Sequence, residues 1–285
     1  SLHHYNSHKY IGCSPAVHFD LIPSHITNGW RTNCNLTPLN TPSFSSNSLV
    51  NYQDIKIPKE FFIKTSINPT MRRLDKGIVA FTNALSCNQA HSLSSSIQHG
   101  QWQRSNIHGK ASNIHSTCGS WRKTTHDTSA TDFIYELLGT AGLPLHYHDI
   151  GINSDCANES LVWTRTGMNS AWRWISYEPG DLLVPHYDDT YQYTSHKKTL
   201  LSVIIYLSAG ITRFMHDPRI NHGYADFTST FSGQPYLEFN ASPGDILVFD
   251  HRLLHDSPMV SSNKLIIRTD IVYEKPNLGG ALVGY

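Results

Sequence analysis

The strongest constraint on this chain is a change of texture after Cys156. From there the sequence breaks into short runs rich in β-branched and aromatic residues, at 161–164, 172–177, 199–207, 236–239, 245–249 and 265–273. Gly, Pro, Asp or Ser separates them. Runs of strand length punctuated by turn residues bury one face at a time, the signature of an antiparallel sandwich or barrel. Neither an internal repeat nor a sustained heptad offers another architecture.

The upstream half reads differently. Residues 1–76, rich in His, Asn, Ser, Thr and Pro, are expected to form an irregular N-terminal extension. Residues 77–152 are expected to be a mostly helical support region. Within it, 78–81 suits a short strand, and Ser86 suits the N-cap of a helix to about 99 that buries Ala90, Leu93 and Ile97. A second helix is expected over 130–138, with Phe133, Leu137 and Leu138 on its apolar side. Residues 153–285 form the β core, and the class is α+β in one structural domain.

Charge narrows the partners. With 22 basic and 22 acidic residues and no like-charge block, the chain has no general grip on nucleic acid or anionic lipid. The best apolar run, 200–207, already contains Ser202 and is far short of the roughly 18–20 residues of a membrane span. Five cysteines form no CxxC pair and leave one over, which favours reduced thiols and a reducing compartment such as the cytoplasm. The sequence opens at Ser1 with no apolar h-region after it, compatible with a removed targeting segment, so the compartment stays open. The oligomeric state is likewise open.

Chemistry concentrates at Pro185-His186-Tyr187-Asp188, after the turn 178–181. In an extended chain residues i and i+2 share a face, so His186 and Asp188 can present an imidazole nitrogen and a carboxylate oxygen to one metal ion, while Asp189 points away. Sixty-seven residues beyond Asp188 stands His255, just past the run 245–250, and a barrel can return it to the same mouth. Two His and one carboxylate on one face leave three coordination positions open, the arrangement of a non-haem Fe(II) oxygenase. Among 18 histidines an isolated HxD occurs by chance, and a His at a strand end is usually a surface or packed residue.

The surroundings carry the argument further: 201–208, then Ala209-Gly210-Ile211-Thr212-Arg213-Phe214, then Pro243-Gly244-Asp245 leading to His255, then 264–270. In this order the pieces resemble the Fe(II)- and 2-oxoglutarate-dependent dioxygenases, in particular the prolyl 4-hydroxylase-like branch. The likeness spans about 155–275, with 78–102 as a fainter lead-in. Ala209 stands where that family usually has the first Gly of a GGxT turn, a departure that touches a turn and not the ligands. The resemblance implies a double-stranded β-helix (jelly-roll, cupin-like) core with supporting N-terminal helices. It also implies Fe(II), the co-substrate 2-oxoglutarate, and O2, with His186, Asp188 and His255 as the iron ligands. An acid in place of the small residue found in halogenating relatives argues against halogenation.

The distal carboxylate of 2-oxoglutarate needs a buried cation, since an unpaired buried anion is costly. Lys264 and Arg268, four apart on a strand, share its inward face, and either can serve. The family spacing resembles Lys264, whereas Arg268 offers a planar two-pronged match; whichever is left over is available for a substrate acid. Tyr206 and Tyr177 match pocket tyrosines of the family, with an ordinary core Tyr as the competing reading. Trp172 and Trp174 alternate onto the opposite face as packing, Thr212 and Phe214 close the interior, and His251 is structural. The connection from Phe214 to Ser242, with His216, His222, Tyr224, Phe227, Phe231 and Tyr236, is expected to be a substrate lid. Residues 190–198 are expected at the opposite rim, with a solvated charged loop as the competing reading.

The expected activity is hydrogen-atom abstraction from an unactivated carbon of a small, carboxylated or amino-acid-derived molecule. Hydroxylation, desaturation and oxidative ring closure stay open, with succinate and CO2 released. Prolyl hydroxylation of a peptide competes with it, and so, from another class, does a cupin-like ligand-binding protein without turnover.

Overall fold

Two antiparallel sheets face one another, because strands that alternate apolar-in with polar-out must cover one face against a second layer. The computed structural model describes residues 57–63, 69–97, 102–105, 119–147, 162–216 and 234–276. In chain order the strands are β1 (Thr70–Asp75), β2 (Ile78–Thr82), β3 (Gln103–Ser105), β4 (Ser120–His126), β5 (Thr164–Met168), β6 (Ala171–Tyr177) and β7 (Leu183–His186). They continue as β8 (Gln192–Thr194), β9 (Lys197–Tyr206), β10 (Gly210–Met215), β11 (Pro235–Ala241), β12 (Ile246–Asp250), β13 (His255–Ser257) and β14 (Lys264–Glu274). Two α-helices are described, α1 (Cys87–Ser96) and α2 (Thr128–Thr140).

The large sheet runs β1-β2-β12-β9-β14-β6-β4-β3, with β5 on β14 and β8 on β9; the small sheet runs β11-β10-β13-β7. From β6 onward the chain passes back and forth: β6, β9, β12 and β14 lie in the large sheet, β7, β10, β11 and β13 in the small one. That winding is the double-stranded β-helix expected from the sequence.

One apolar core fills the space between the sheets, with Ile175, Ile204, Ile266 and Leu247 from the large sheet meeting Phe214 and Phe239 from the small one. A second core covers the outer face of the large sheet, where Ile134 and Leu138 of α2 and Leu93 of α1 pack with Trp172, Trp174 and Val203. The two tryptophans face outward as expected, and their indole N–H groups donate to Thr131 (2.9 Å) and Thr125 (2.8 Å) of that layer. α1 opens with a capping box in which Ser86 Oγ accepts from the Gln89 N–H and the Gln89 side chain accepts from the Ser86 N–H. Asp127 caps α2 through the Ala130 N–H at 2.7 Å.

Three expectations need correcting. Among its described residues the segment 77–152 is not mostly helical: β3 and β4 join the expected strand β2 there, and β1 falls inside the extension expected to be irregular. Strand edges of the central sheet otherwise present unpaired N–H and C=O groups, and β2 and β4 satisfy them along β12 and β6. The stretch from Phe214 to Ser242 is not all lid, because 235–241 pairs with β10 in register Gly210↔Ala241 through Phe214↔Leu237. Residues 217–233, with His222, Tyr224, Phe227 and Phe231, lie outside the described residues, as do 1–56. The stretch 190–198 contains β8, an exposed strand on the edge of β9. Among the described residues no helix is long and apolar enough to cross a membrane, and Cys87 is a free, exposed thiol.

Candidate active site

The two candidate histidine ligands become neighbours through a strand pairing. β7 is the edge strand of the small sheet, where Pro185 can sit without a backbone N–H to donate. β13 runs antiparallel to it with His255 opposite His186, which brings the ring centroids to 4.3 Å. Just past the strand, the Asp188 N–H donates to the His251 carbonyl at 3.1 Å, which turns the carboxylate back toward both rings. Asp188 Oδ1 lies 3.7 Å from His186 Nε2, and Oδ2 lies 3.6 Å from His255 Nε2. One ligand atom from each of His186, Asp188 and His255 lies within 4.8 Å of the others, so one ion can meet all three.

The protonation pattern suits a cation. A carbonyl can only accept, so the contacts of His186 Nδ1 with the Val184 carbonyl and His255 Nδ1 with the Leu253 carbonyl, both 2.9 Å, place the ring proton on Nδ1. Each Nε2 lone pair is then available to a metal ion, and the backbone bond fixes the ring's orientation. Burial lowers the His186 imidazole to about 3, reinforced by His255, and lowers His255 as well, so both rings stand neutral and ready to ligate at ordinary pH. Burial alone would raise Asp188, but the Arg268 guanidinium and then the two imidazoles overcome it and hold the carboxyl well below its usual range. Ser202 donates its hydroxyl to Asp188 Oδ2. The Phe249 ring packs on His255 with centroids 4.5 Å apart, an apolar floor under the donor set. These donors fit Fe(II), which accepts imidazole and carboxylate together.

The two inward cations differ sharply. Arg268 is committed: one nitrogen lies 3.1 Å from Asp188 Oδ1 and another donates to Asp270 Oδ1 at 3.2 Å. Lys264 is buried at 2% exposure and among the described residues has no carboxylate in ion-pair range. Its Nζ donates to the Ile211 carbonyl (2.6 Å) and to Ser257 Oγ (2.9 Å), and lies 5.3 Å from the Tyr177 ring and 5.9 Å from the Tyr206 ring. Asp256, whose charge acts on the lysine, is taken by Arg213 at 2.9 and 2.6 Å. Burial accordingly lowers the Lys264 ammonium to about 7. Gly210 makes room for it: a Cβ there would sit 2.8 Å from Lys264 Cδ and Cε. This is the Gly that the chain keeps beside Ala209.

Lys264 stands opposite Tyr177 across β14 and β6, and Ile266 opposite Tyr206 across β14 and β9, so both tyrosines share the lysine's face. Burial pushes the Tyr177 hydroxyl up to about 12 and raises Tyr206, whose hydroxyl lies 2.6 Å from Thr212 Oγ1. Both are therefore neutral hydrogen-bonding groups. His251 is buried with its Nε2 3.3 Å from Asp270 Oδ1, and its backbone carbonyl is the one that accepts from the Asp188 N–H. Ser202, Gly210, Arg122 and Arg173 were not singled out from the sequence. The alternation that turns Trp172 and Trp174 outward also turns Arg173 inward with Tyr177, a readable signal for that one; the others join the site only through sheet register.

No protein-family profile and no curated protein matches the sequence. Solved structures similar in outline include a viral collagen prolyl hydroxylase from Paramecium Bursaria Chlorella virus-1 in complex with 2OG, at 15% identity and TM-score 0.41, covering 70% of this chain and 97% of that one. A Pseudomonas putida prolyl-4-hydroxylase aligns at 11% identity and TM-score 0.41, over 70% and 94%. HygX from Streptomyces hygroscopicus, with nickel and 2-oxoglutarate bound, aligns at 10% identity and TM-score 0.38, over 70% and 83%.

Proposed function

We propose that this chain is an Fe(II)- and 2-oxoglutarate-dependent oxygenase of the prolyl 4-hydroxylase-like kind, acting on a small molecule. The observation that carries this reading is a pair of features facing each other between the two sheets: a two-His, one-carboxylate donor set on and just past β7 and β13, and, on β14, a buried lysine with no acid of its own among the described residues. Two protein imidazoles and one carboxylate leave ligand positions for a bidentate oxoacid, and an unpaired buried ammonium suits the other end of a dicarboxylate.

In this reading His186 and His255 bind through Nε2 while their Nδ1–H groups stay on the Val184 and Leu253 carbonyls. Asp188 supplies the third ligand, and Arg268 and Ser202 keep it ionised and aimed. Lys264 receives the distal carboxylate of 2-oxoglutarate, with the Tyr177 and Tyr206 hydroxyls available as donors beside it. That anion restores the full charge of an ammonium which burial has weakened. Phe249 and Phe214 exclude water from the floor, the latter with its ring 6.1 Å from the His255 ring. Fe(II) bound there with the co-substrate supplies oxidative decarboxylation to succinate and CO2 and the removal of a hydrogen atom from an unactivated carbon.

The test is succinate release from 2-oxoglutarate with Fe(II) and air, for the wild-type chain and for His186→Ala. Release by the first and not the second supports the oxygenase; equal, near-zero release from both favours a ligand-binding barrel. A substrate screen read by stimulated succinate, with product mass separating a gain of oxygen from a loss of two hydrogens, then identifies the reaction.

A further inference from the structure

Three arginines lie side by side on the inner face of the large sheet. Arg268 stands directly opposite Arg173 across β14 and β6, and Arg122 stands directly opposite Ile175 across β6 and β4. Opposed residues share a face and successive residues alternate, so Arg122, Arg173 and Arg268 join Lys264 and Tyr177 on the side that carries the triad. Like charges set opposite one another on neighbouring strands are destabilising, and a sheet tolerates them when anions intervene.

Here the anions reach only part of the row. Asp188 and Asp270 are both engaged by Arg268. Arg122 donates its Nε to Ser120 Oγ at 3.2 Å and makes no ion pair among the described residues. Arg173 makes neither a hydrogen bond nor an ion pair among them. Two partly buried guanidinium groups therefore stand beside the metal-binding face without a carboxylate of their own.

We propose that Arg122 and Arg173 form a subsite for a carboxylate of the substrate, separate from the Lys264 site for 2-oxoglutarate. The inference deepens the oxygenase reading and rests on it: the substrate is a small carboxylic acid, held by its acid group so that a nearby carbon faces the metal. A guanidinium fork matches a planar carboxylate through two parallel N–H donors, and two forks on adjacent strands receive both oxygens. Electrostatics agrees. Among the influences that lower them, burial leads for Arg122 with the charge of Arg268 after it, and the charge of Arg268 leads for Arg173 with burial after it, so a bound anion offsets like-charge repulsion within the row. Arg173 stands opposite Arg268, which itself lies 3.1 Å from Asp188, so the row borders the donor set rather than a remote edge.

The experiment uses the full chain loaded with Zn(II), which cannot turn over, and saturated with 2-oxoglutarate. The probes are N-acetyl amino acids and, as uncharged counterparts, their carboxamides, with binding read by saturation-transfer NMR and calorimetry. The expected result is binding of one or more acids and none of the matching amides. Arg122→Gln and Arg173→Gln are expected to weaken that binding at least tenfold while 2-oxoglutarate affinity stays within about twofold, and Arg173→Lys to recover part of the loss. Equal binding of acids and amides, unchanged acid binding in both Gln variants, parallel loss of 2-oxoglutarate, or no acid bound by the wild type overturns the subsite. Wild-type 2-oxoglutarate affinity is measured first. Its absence defeats the oxygenase reading, whereas the acid–amide comparison on the same protein still decides the arginines.

Discussion

Replacing Lys264 with Met separates binding from stability, because the two should move in opposite directions. The ammonium is buried with only a carbonyl, a hydroxyl and two aromatic faces around it, and burial lowers it from 10.5 to about 7. At about 1.36 kcal/mol per unit, that disfavours the charged form by roughly 4–5 kcal/mol. Met fills a similar volume without a charge, but it removes the donor to the Ile211 carbonyl and one of the partners of the Ser257 hydroxyl, which also bonds Tyr177, at about 2–4 kcal/mol together. The ligand-free variant should therefore be as stable as the wild type, or up to about 2 kcal/mol more stable, near pH 7. The difference has a defined slope. Between about pH 7 and 10.5 the unfolded lysine still holds a proton that the folded one has lost, so wild-type stability rises with pH across that window and the variant lacks this rise. Binding responds the other way: losing the charged partner of a buried carboxylate costs about 2–5 kcal/mol, or at least ~30-fold in 2-oxoglutarate affinity. Calorimetry on Mn(II)-loaded protein and urea unfolding at pH 7 and 9 measure the two quantities. A 2-oxoglutarate affinity within threefold of wild type, together with a clear loss of stability, would show that Lys264 is a structural brace and refute its role as the anchor.

Gly210→Ala places a methyl 2.8 Å from Lys264 Cδ and Cε and should weaken 2-oxoglutarate about tenfold by shifting the ammonium; calorimetry on the double variant with Lys264→Met should show no further loss, and additive losses would contradict the coupling. Because burial lowers His186 to about 3, the folded ring stays neutral where the unfolded one protonates, so stability is lost as pH falls from about 6.5 toward 3. Urea titrations from pH 7 to 4 should show a shallower slope for His186→Ala, which should also lose Mn(II) binding in calorimetry; an unchanged slope would place the ring in water. Gly244→Ala combines φ +92 with a Cβ 2.2 Å from the Leu85 carbonyl oxygen, and should cost more than about 3 kcal/mol in urea unfolding, where a loss under 1 would contradict the packing.

Short-range pattern carried much of this protein. The alternation at 172–177 told the Trp layer from the Tyr177 face, and HxD on an extended segment put two donors on one side, because a strand's period of two is a local property. Apart from β2, the strands of the first half escaped notice for the same reason. β4, Ser-Trp-Arg-Lys-Thr-Thr-His, is polar along most of its length and becomes a strand by pairing with β6 rather than by its own propensity. β5, with Gly167 inside it, is a similar case on β14.

What the sequence alone determined was the set of candidates: alternation put His186 with Asp188 and Lys264 with Arg268 on shared faces, while the resemblance supplied His255 and the two tyrosines. Only the tertiary structure decided among them. Both Lys264 and Arg268 point inward from β14, yet Asp188 and Asp270 claim the arginine and leave the lysine without an acid, a distinction that depends on which residues three strands bring together. The arginine row belongs to that same order of information. Arg122, Arg173 and Arg268 are scattered over nearly 150 residues, and antiparallel register sets them side by side because cross-strand contact is non-local.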